Sequence, residues 1–169
     1  MIDEASSAAG LREPDRETIL TFIQPGLAGL IDGSISSLAP VFATAFSTHD
    51  TATAFKVGLA TALGAGISMG ITEVASDDGK LSGRGSPTKR GFAVGVMTLI
   101  GGLGHTLPFL IENYRTALLV ALVFISIELL IITLVQHRFM KTPIARALFQ
   151  VLFGGIIVVG VGILVGRAG

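Results

Sequence analysis

Five long apolar stretches, separated by short polar segments, dominate the sequence. They cover residues 18–46, 53–76, 91–111, 116–135 and 143–166. Each stretch is close to or longer than the roughly 20 residues that a helix needs to cross the hydrocarbon core of a bilayer. The pattern predicts an all-α integral membrane protein with five transmembrane helices. These helices form one membrane domain, residues 18–166, after a polar N-terminal segment, residues 1–17.

The composition agrees with a lipid environment. Half of the residues are hydrophobic (50%) and only 14% are charged, whereas soluble domains carry roughly a quarter. The 22 glycines are typical of helices that pack closely in membranes. Cysteine is absent, which excludes thiolate metal ligands and thiol catalysis. The formal net charge of zero gives no basis for nucleic-acid binding, so the lipid bilayer is the predicted surrounding of the chain.

The basic residues are unevenly distributed between the two faces of the predicted membrane domain. Five crossings place the termini on opposite faces. The face with the N-terminal segment and the loops 77–90 and 136–146 holds nine Lys and Arg residues: Arg12, Arg16, Lys80, Arg84, Lys89, Arg90, Arg138, Lys141 and Arg146. The other face holds three: Lys56, Arg115 and Arg167. Because basic residues favour the cytosolic side, we predict a cytosolic N-terminus and an external C-terminus.

Asp32 is the only ionisable residue in the 29 residues from Thr18 to Phe46. A charged side chain at this depth in a bilayer is costly unless it is paired or hydrated. Its distance from both ends of the stretch prevents the side chain from reaching the membrane interface. We therefore predict a functional role for Asp32, as a cation or proton site, in preference to a structural polar contact.

Two residues of the second apolar stretch are predicted to share a route with Asp32. If the chain turns near His49 and Asp50, Asp32 lies level with about residue 67 at a rise of about 1.5 Å per residue. Met69 is then close to that depth, and Glu73 lies on the same helix face, one turn nearer the cytosol. Carboxylate and thioether ligands together accept Fe²⁺ or Mn²⁺ without being specific for either. Asp32, Met69 and Glu73 are therefore the candidate metal ligands.

Met69 and Glu73 also have ordinary alternatives. Methionine in an apolar helix more often fills space than binds metal, and Met69 taken alone favours packing. Glu73 lies four residues from Asp77, so its side chain could simply reach the interface. Four serines would supply hydroxyl groups near the same route: Ser34, Ser36, Ser37 and Ser68.

Two further polar residues fall inside predicted membrane helices. Glu128 lies near mid-depth of the fourth stretch, and His105 lies toward the end of the third. Folding these two helices about Asn113 leaves the residues about six positions, or about 9 Å, out of level. We therefore do not expect a direct pair. For His105, a hydrogen bond between helices is favoured over a proton-relay role.

Pairs of glycines four residues apart predict close helix contacts. Gly29 and Gly33 lie beside Asp32, and Gly162 and Gly166 repeat the spacing near the C-terminus. Such spacing lets two helix backbones approach closely in lipid. For the first pair, the predicted partner is another helix of the chain or the same helix of a second copy.

Two segments carry a resemblance to a known family. LIDGSISSLAPVFATAF contains an Asp-Gly pair, and after a tight hairpin GISMGITEVASDDG contains the spacing Ser-Met-x-x-x-Glu. Together they resemble the vacuolar iron transporter family and, within it, the membrane domain of the bacterial membrane-bound ferritin (MbfA-type) iron exporters. The resemblance covers roughly residues 18–166.

The resemblance implies a homodimer in the bacterial inner membrane, in which the first helices of both subunits line the path. Divalent iron, or manganese, would leave the cytosol in exchange for protons, as a transported ion and not as a permanently bound cofactor. Asp32, Met69 and Glu73 match the pathway positions of the family.

One departure from that branch suggests a second hypothesis. The exporters carry an N-terminal ferritin-like domain, where this chain has only the polar residues 1–17. The chain could therefore be a non-transporting membrane scaffold or anchor for a ferritin-like partner. An enzyme is not expected, because HExxH and nucleotide-loop motifs are absent and the three histidines fall at different depths.

Overall fold

The computed structural model describes residues 15–168, and all of the regular elements in this range are helical. Five long helices follow one another: α1 (Arg16–Thr48), α2 (Thr51–Ser76), α3 (Pro87–Gly104), α4 (Tyr114–Met140) and α5 (Ile144–Arg167). A short 3₁₀ helix, Leu107–Leu110, lies between α3 and α4. The predicted all-α class is confirmed for the described residues. Of the predicted N-terminal segment 1–17, residues 1–14 lie outside them.

The connection between α1 and α2 is only two residues long. α1 ends at Thr48, and His49 adopts a left-handed conformation with a φ of 54°. Asp50 caps α2, because its carboxylate accepts hydrogen bonds from the N–H groups of Ala52 and Thr53 at 3.1 and 3.2 Å. The chain therefore turns at His49 and Asp50, where the sequence predicts the hairpin.

Four helices, α1, α2, α4 and α5, are long and apolar enough to cross a membrane. They support a multi-pass membrane protein. α3 has 18 residues, which corresponds to about 27 Å, and its first turn, 87–90, is polar. A fifth crossing by α3 stays a prediction.

The third apolar stretch is shorter as a helix than the sequence predicts. The prediction extends to residue 111, but α3 ends at Gly104. Pro108 has no N–H to donate, and its ring disfavours a helical conformation in the preceding residue. The chain therefore leaves the α-helix at His105 and passes through the 3₁₀ helix to Asn113, which caps α4 by accepting from the Thr116 N–H at 3.0 Å.

α1 is the central helix of the bundle. Of the most apolar 18-residue segment of α1, 56% is buried within the protein, whereas the buried share of the corresponding segments in α2, α4 and α5 is 28% or less. Gly29 and Gly33 of α1 pack directly against the backbone of α3. Gly162 and Gly166 of α5 pack against the backbone of α1 in the same way. Both predicted glycine pairs thus make close helix contacts, and the partner of the first pair is α3 of the same chain.

An apolar core surrounds the second half of α1. Leu38, Val41 and Phe42 are almost completely buried there. The ring of Phe42 meets Phe109 of the 3₁₀ helix edge to face, with ring centroids 6.3 Å apart. This contact anchors the non-α-helical segment between α3 and α4 inside the bundle.

Candidate functional site

Asp32 lies at the midpoint of α1, in an uninterrupted α-helical segment. Its side chain is partly buried. Within residues 15–168, no hydrogen bond or ion pair reaches its carboxylate. A carboxylate halfway along a membrane helix needs a cation, a proton or water to compensate its charge.

Asp32 belongs to a strip of α1 that the other helices of the chain leave largely uncovered. Gln24, Ala28 and Ser36 are exposed, and they share one helix face with Asp32 because the four residues are spaced by four. Three of the four side chains are polar. This Asp32 strip therefore presents hydrogen-bonding groups on the outside of the bundle.

Both α1 and α2 pack on α3 near the level of Asp32. A Cβ on Gly33 would lie 1.9 Å from the Thr98 carbonyl oxygen, so only glycine fits this contact. On α2, a Cβ on Gly66 would lie 2.9 Å from a carbonyl oxygen of α3. Measured along α3, Asp32 and the partly buried Met69 differ in depth by about one helical turn, or about 5 Å. Coordination by Met69 stays a prediction.

The four serines predicted near the route fall into two groups. Ser34 and Ser37 are buried and donate to carbonyl oxygens four residues earlier in α1, at 2.8 and 2.6 Å. Ser36 and Ser68 are exposed. The buried pair therefore uses its hydroxyl hydrogens within α1.

Glu73 lies in an ion-pair cluster near the end of α2. Arg90, which is fully buried in the first turn of α3, donates from Nε to Glu73 Oε1 at 2.7 Å. Its Nη2 donates to Asp77 Oδ2 at 2.7 Å, and its Nη1 donates to the Gly85 carbonyl oxygen at 3.0 Å. Arg84 adds a longer contact of 3.6 Å to Glu73. Arginine thus compensates the charge of Glu73, and the same guanidinium repels a cation that approaches this carboxylate.

Asp77 also organises the loop between α2 and α3. Its carboxylate accepts hydrogen bonds from the Gly79 N–H at 2.8 Å and the Ser82 hydroxyl at 2.5 Å. The Ser82 hydroxyl, the Gly79 N–H and the nearby Arg90 guanidinium hold the pKa of Asp77 below its ordinary value. Gly85 has a φ of +81°, and a Cβ there would lie 2.6 Å from a hydroxyl oxygen of α1. The loop is therefore fastened to three helices.

The burial of Arg90 is absent from the sequence-based interpretation, which counts this residue only among the basic residues of one face. A weak signal for it exists. Arg90 stands three residues after Pro87, which favours the first position of a helix. A cation in the first turn of a helix is disfavoured by the helix dipole, which indicates that carboxylates lie nearby.

His105 and Glu128 are in direct contact, so the expectation that they do not pair is wrong. His105 Nδ1 lies 3.2 Å from Glu128 Oε2, and Nε2 lies 2.9 Å from Ser37 Oγ. The depth estimate fails because it assumes that α3 continues as a straight helix to Asn113, whereas α3 ends at Gly104 and residues 105–113 form turns and the 3₁₀ helix. His105 makes the hydrogen bonds between helices that the sequence favours, to Ser37 on α1 and to Glu128 on α4.

Metal-ligating side chains do not cluster in the part of the chain that the structure describes. No group of three or more histidine, cysteine, aspartate or glutamate side chains within residues 15–168 could hold a metal ion. Asp32 stands apart from the ion-pair cluster that Glu73 and Asp77 form with Arg90. A coordination shell around Asp32 would therefore need other ligands, such as water, Met69 or a second copy of the chain.

The long apolar helices define a multi-pass, all-helical membrane protein, and Asp32 places an isolated carboxylate halfway along its central helix. Residues 73–167, more than half of the 169-residue chain, match the VIT family. The chain belongs to this family of vacuolar iron transporters, and its class is membrane transport of metal ions and not enzymatic catalysis. Comparisons with curated proteins and with solved structures found no match.

The region that matches the VIT family contains only one of the three candidate metal ligands. It begins at Glu73 and contains Arg90, His105 and Glu128, whereas Asp32 and Met69 precede it. Family membership therefore supports metal transport by the chain as a whole.

Proposed function

We propose that the chain exports divalent iron, or manganese, from the cytosol in exchange for protons. The observation that carries this proposal is the carboxylate of Asp32, which lies halfway along α1 with no partner in residues 15–168. Membership of the VIT family supports a metal ion as the transported species. A carboxylate with no fixed partner can take up a cation and a proton alternately, which is the property that exchange requires.

Met69 and Glu73 complete the proposed route. Met69 lies about one turn from Asp32 in depth, where its thioether adds a soft ligand to the hard carboxylate, a mixture that Fe²⁺ or Mn²⁺ tolerates. Glu73 lies one turn beyond Met69 on the same face of α2. Because Arg90 holds Glu73 at 2.7 Å, an entering cation must compete with the guanidinium. Loosening of the pairing with Arg90 would therefore strengthen the attraction of Glu73 for an entering ion.

The Asp32 strip supports a homodimer. Polar side chains that face lipid are unfavourable, so the exposed Gln24 and Ser36 and the partly buried Asp32 favour a covered environment. The glycine face of α1 is already occupied by α3. A second copy placed against the strip would bring two Asp32 carboxylates toward one path and supply the ligands that a single chain lacks.

The proposed topology defines which end of the route faces the cytosol. Five crossings and the nine-to-three distribution of basic residues place the N-terminus and the loop 77–90 in the cytosol. Glu73 and Arg90 then lie at the cytosolic end of the route. The proposed location is the inner membrane of a bacterium.

Metal flux into proteoliposomes made with the full chain tests this function. Unsubstituted protein should carry Fe²⁺ or Mn²⁺ into vesicles while protons move out in exchange. Asp32→Asn should abolish the metal flux. Glu112→Gln, which removes a carboxylate from an exposed position, is the matched control and should transport normally.

Two outcomes contradict the proposal. Transport by Asp32→Asn at the rate of the unsubstituted chain would exclude Asp32 as the exchange site. No flux from the unsubstituted chain, together with specific retention of a ferritin-like protein, would favour the membrane scaffold or anchor instead.

A further inference from the structure

His105 connects three helices through the two nitrogens of its ring. Its side chain is fully buried at the C-terminal end of α3. Nε2 lies 2.9 Å from Ser37 Oγ on α1, and Nδ1 lies 3.2 Å from Glu128 Oε2 on α4. Gly104 makes room for the carboxylate, because a Cβ there would lie 2.8 Å from Glu128 Oε1.

The hydrogen on Nε2 can be deduced from Ser37. Ser37 Oγ lies 2.6 Å from the Gly33 carbonyl oxygen, and a carbonyl oxygen can only accept a hydrogen bond. The single hydroxyl hydrogen of Ser37 is therefore donated to Gly33. Ser37 accepts from His105, so Nε2 carries a hydrogen.

One more hydrogen is required between His105 and Glu128. On Nδ1 it makes an imidazolium and a carboxylate; on Oε2 it makes a neutral imidazole and a carboxylic acid. The two arrangements contain the same number of protons, and each is neutral overall. Without this hydrogen, two lone pairs face each other across 3.2 Å, and a buried unit carries one uncompensated negative charge, which is costly.

The surrounding helices offer little to compensate that charge. Within residues 15–168, the one ion pair that either group makes is the His105–Glu128 pair itself. α1 contributes Asp32, which is also an acid, and α2 contributes Lys56, which is exposed. The other titratable or charged groups of the five helices lie near helix ends: Arg16, Glu17, Glu73, Lys89, Arg90, Tyr114, Arg115, His137, Arg138, Arg146 and Arg167.

We propose that His105 and Glu128 form a one-proton binding site that fastens α1 to α3 and α4 while the proton is bound. Glu128 keeps 12% of its side chain exposed, so the proton can leave from the surface of the bundle. Its loss breaks the bond between Nδ1 and Oε2, and with it the connection from α4 through His105 to Ser37.

The site is linked to transport if the proposed function holds. Ser37 follows Asp32 by five residues, or about 7.5 Å along α1. A divalent cation at Asp32 therefore favours loss of the proton from the His105–Glu128 pair by Coulomb attraction for the negative charge that remains. Cation binding then releases α1 from α3 and α4.

Nuclear magnetic resonance of the full chain in lipid nanodiscs, with ¹⁵N-labelled histidine, tests the site without any metal. The chain has three histidines, so the ring signals of His105 can be assigned with His49→Gln and His137→Gln. In a pH titration, the Nδ1 signal of His105 should shift when the shared proton leaves. In Glu128→Gln, the amide can still donate to Nδ1 but does not ionise, so the shift should be lost, whereas Glu112→Gln should retain it.

The outcomes separate the site from the transport function. An identical pH response of His105 in the unsubstituted chain and in Glu128→Gln overturns the one-proton site. If Glu128→Gln does not fold, Glu128→Asp replaces it and must move the pH at which the signal shifts; an unmoved shift also overturns the site. In proteoliposomes, Glu128→Gln should lower the proton counterflow per Mn²⁺, and an unchanged ratio overturns the link. Absence of Mn²⁺ flux from the unsubstituted chain overturns the transport function, and the resonance measurement still decides the proton site.

Discussion

Arg90 and Glu73 are joined by a hydrogen bond of 2.7 Å across seventeen residues of chain. The arginine side chain is fully buried, while the glutamate keeps 19% exposure. Because a guanidinium does not lose its proton in proteins, Arg90 depends on its carboxylate partners for compensation of a permanent charge. The same arginine also binds Asp77 at 2.7 Å. The end of α2, the loop and the start of α3 are therefore held by one side chain.

Replacement of Arg90 by methionine should destabilise the protein. The substitution leaves Asp77 without its arginine and Glu73 with only the longer contact to Arg84, and breaking a buried pair in this way costs about 3 kcal/mol. The free energy of unfolding, measured by denaturant titration of the full chain in detergent micelles, should fall by about that amount. Lys89→Met changes the exposed neighbour and should have little effect. Equal stability of the two variants would show that the ion-pair cluster of Arg90 with Glu73 and Asp77 contributes nothing to the free energy of unfolding.

Replacement of Gly33 by alanine should separate α1 from α3. The new Cβ would lie 1.9 Å from the Thr98 carbonyl oxygen, and a backbone atom cannot move aside as a flexible side chain does. We expect a loss of at least about 2 kcal/mol in the free energy of unfolding. Gly64→Ala is the matched control, because nothing lies within 4 Å of its Cβ position and alanine is the better helix former by about 0.5–1 kcal/mol. Opposite signs for the two substitutions are therefore expected; equal effects would contradict the close contact.

The sequence predicts those parts of the fold that depend on local chemistry. The turn at His49 and Asp50 follows from a polar pair between two apolar stretches, and Asp50 caps α2 as expected of an aspartate. The isolation of Asp32 is also readable from the sequence, because no other charge lies within its stretch. In each case the deciding residues are neighbours along the chain.

The parts that the sequence does not predict depend on where a helix stops and on what packs against it. The contact between His105 and Glu128 is missed because the apolar stretch continues to residue 111, while the helix ends at Gly104. Arg90 is missed because counting charges by face does not distinguish an exposed arginine from one buried between carboxylates. Both the His105–Glu128 contact and the burial of Arg90 depend on how the helices pack in three dimensions.

The loop between α2 and α3 should loosen in acid because of Asp77. The Ser82 hydroxyl, the Gly79 N–H and Arg90 lower the pKa of this carboxyl in the folded protein. A group with a depressed pKa stabilises the fold fully above its unfolded pKa, about 3.9, and loses that contribution as the pH falls through the folded value. Hydrogen exchange of the Gly79 amide should therefore show protection that is present at neutral pH and lost below about pH 4. In Asp77→Asn, the pH-dependent part of this protection should be absent; its persistence would assign the effect to another group.

Replacement of Met69 by leucine should reduce metal transport without weakening the fold. The two side chains are similar in volume, and such swaps usually cost less than about 1.5 kcal/mol, so the substitution removes mainly the thioether. If Met69 coordinates the ion beside Asp32, Fe²⁺ flux in proteoliposomes should fall at least about tenfold, which is typical of a disturbed coordination shell. Met97→Leu, at a position where the side chain packs against Gly26, removes a thioether from α3 and should leave the flux unchanged. Normal flux in Met69→Leu would assign this methionine to packing and leave Asp32 to bind the ion with other ligands.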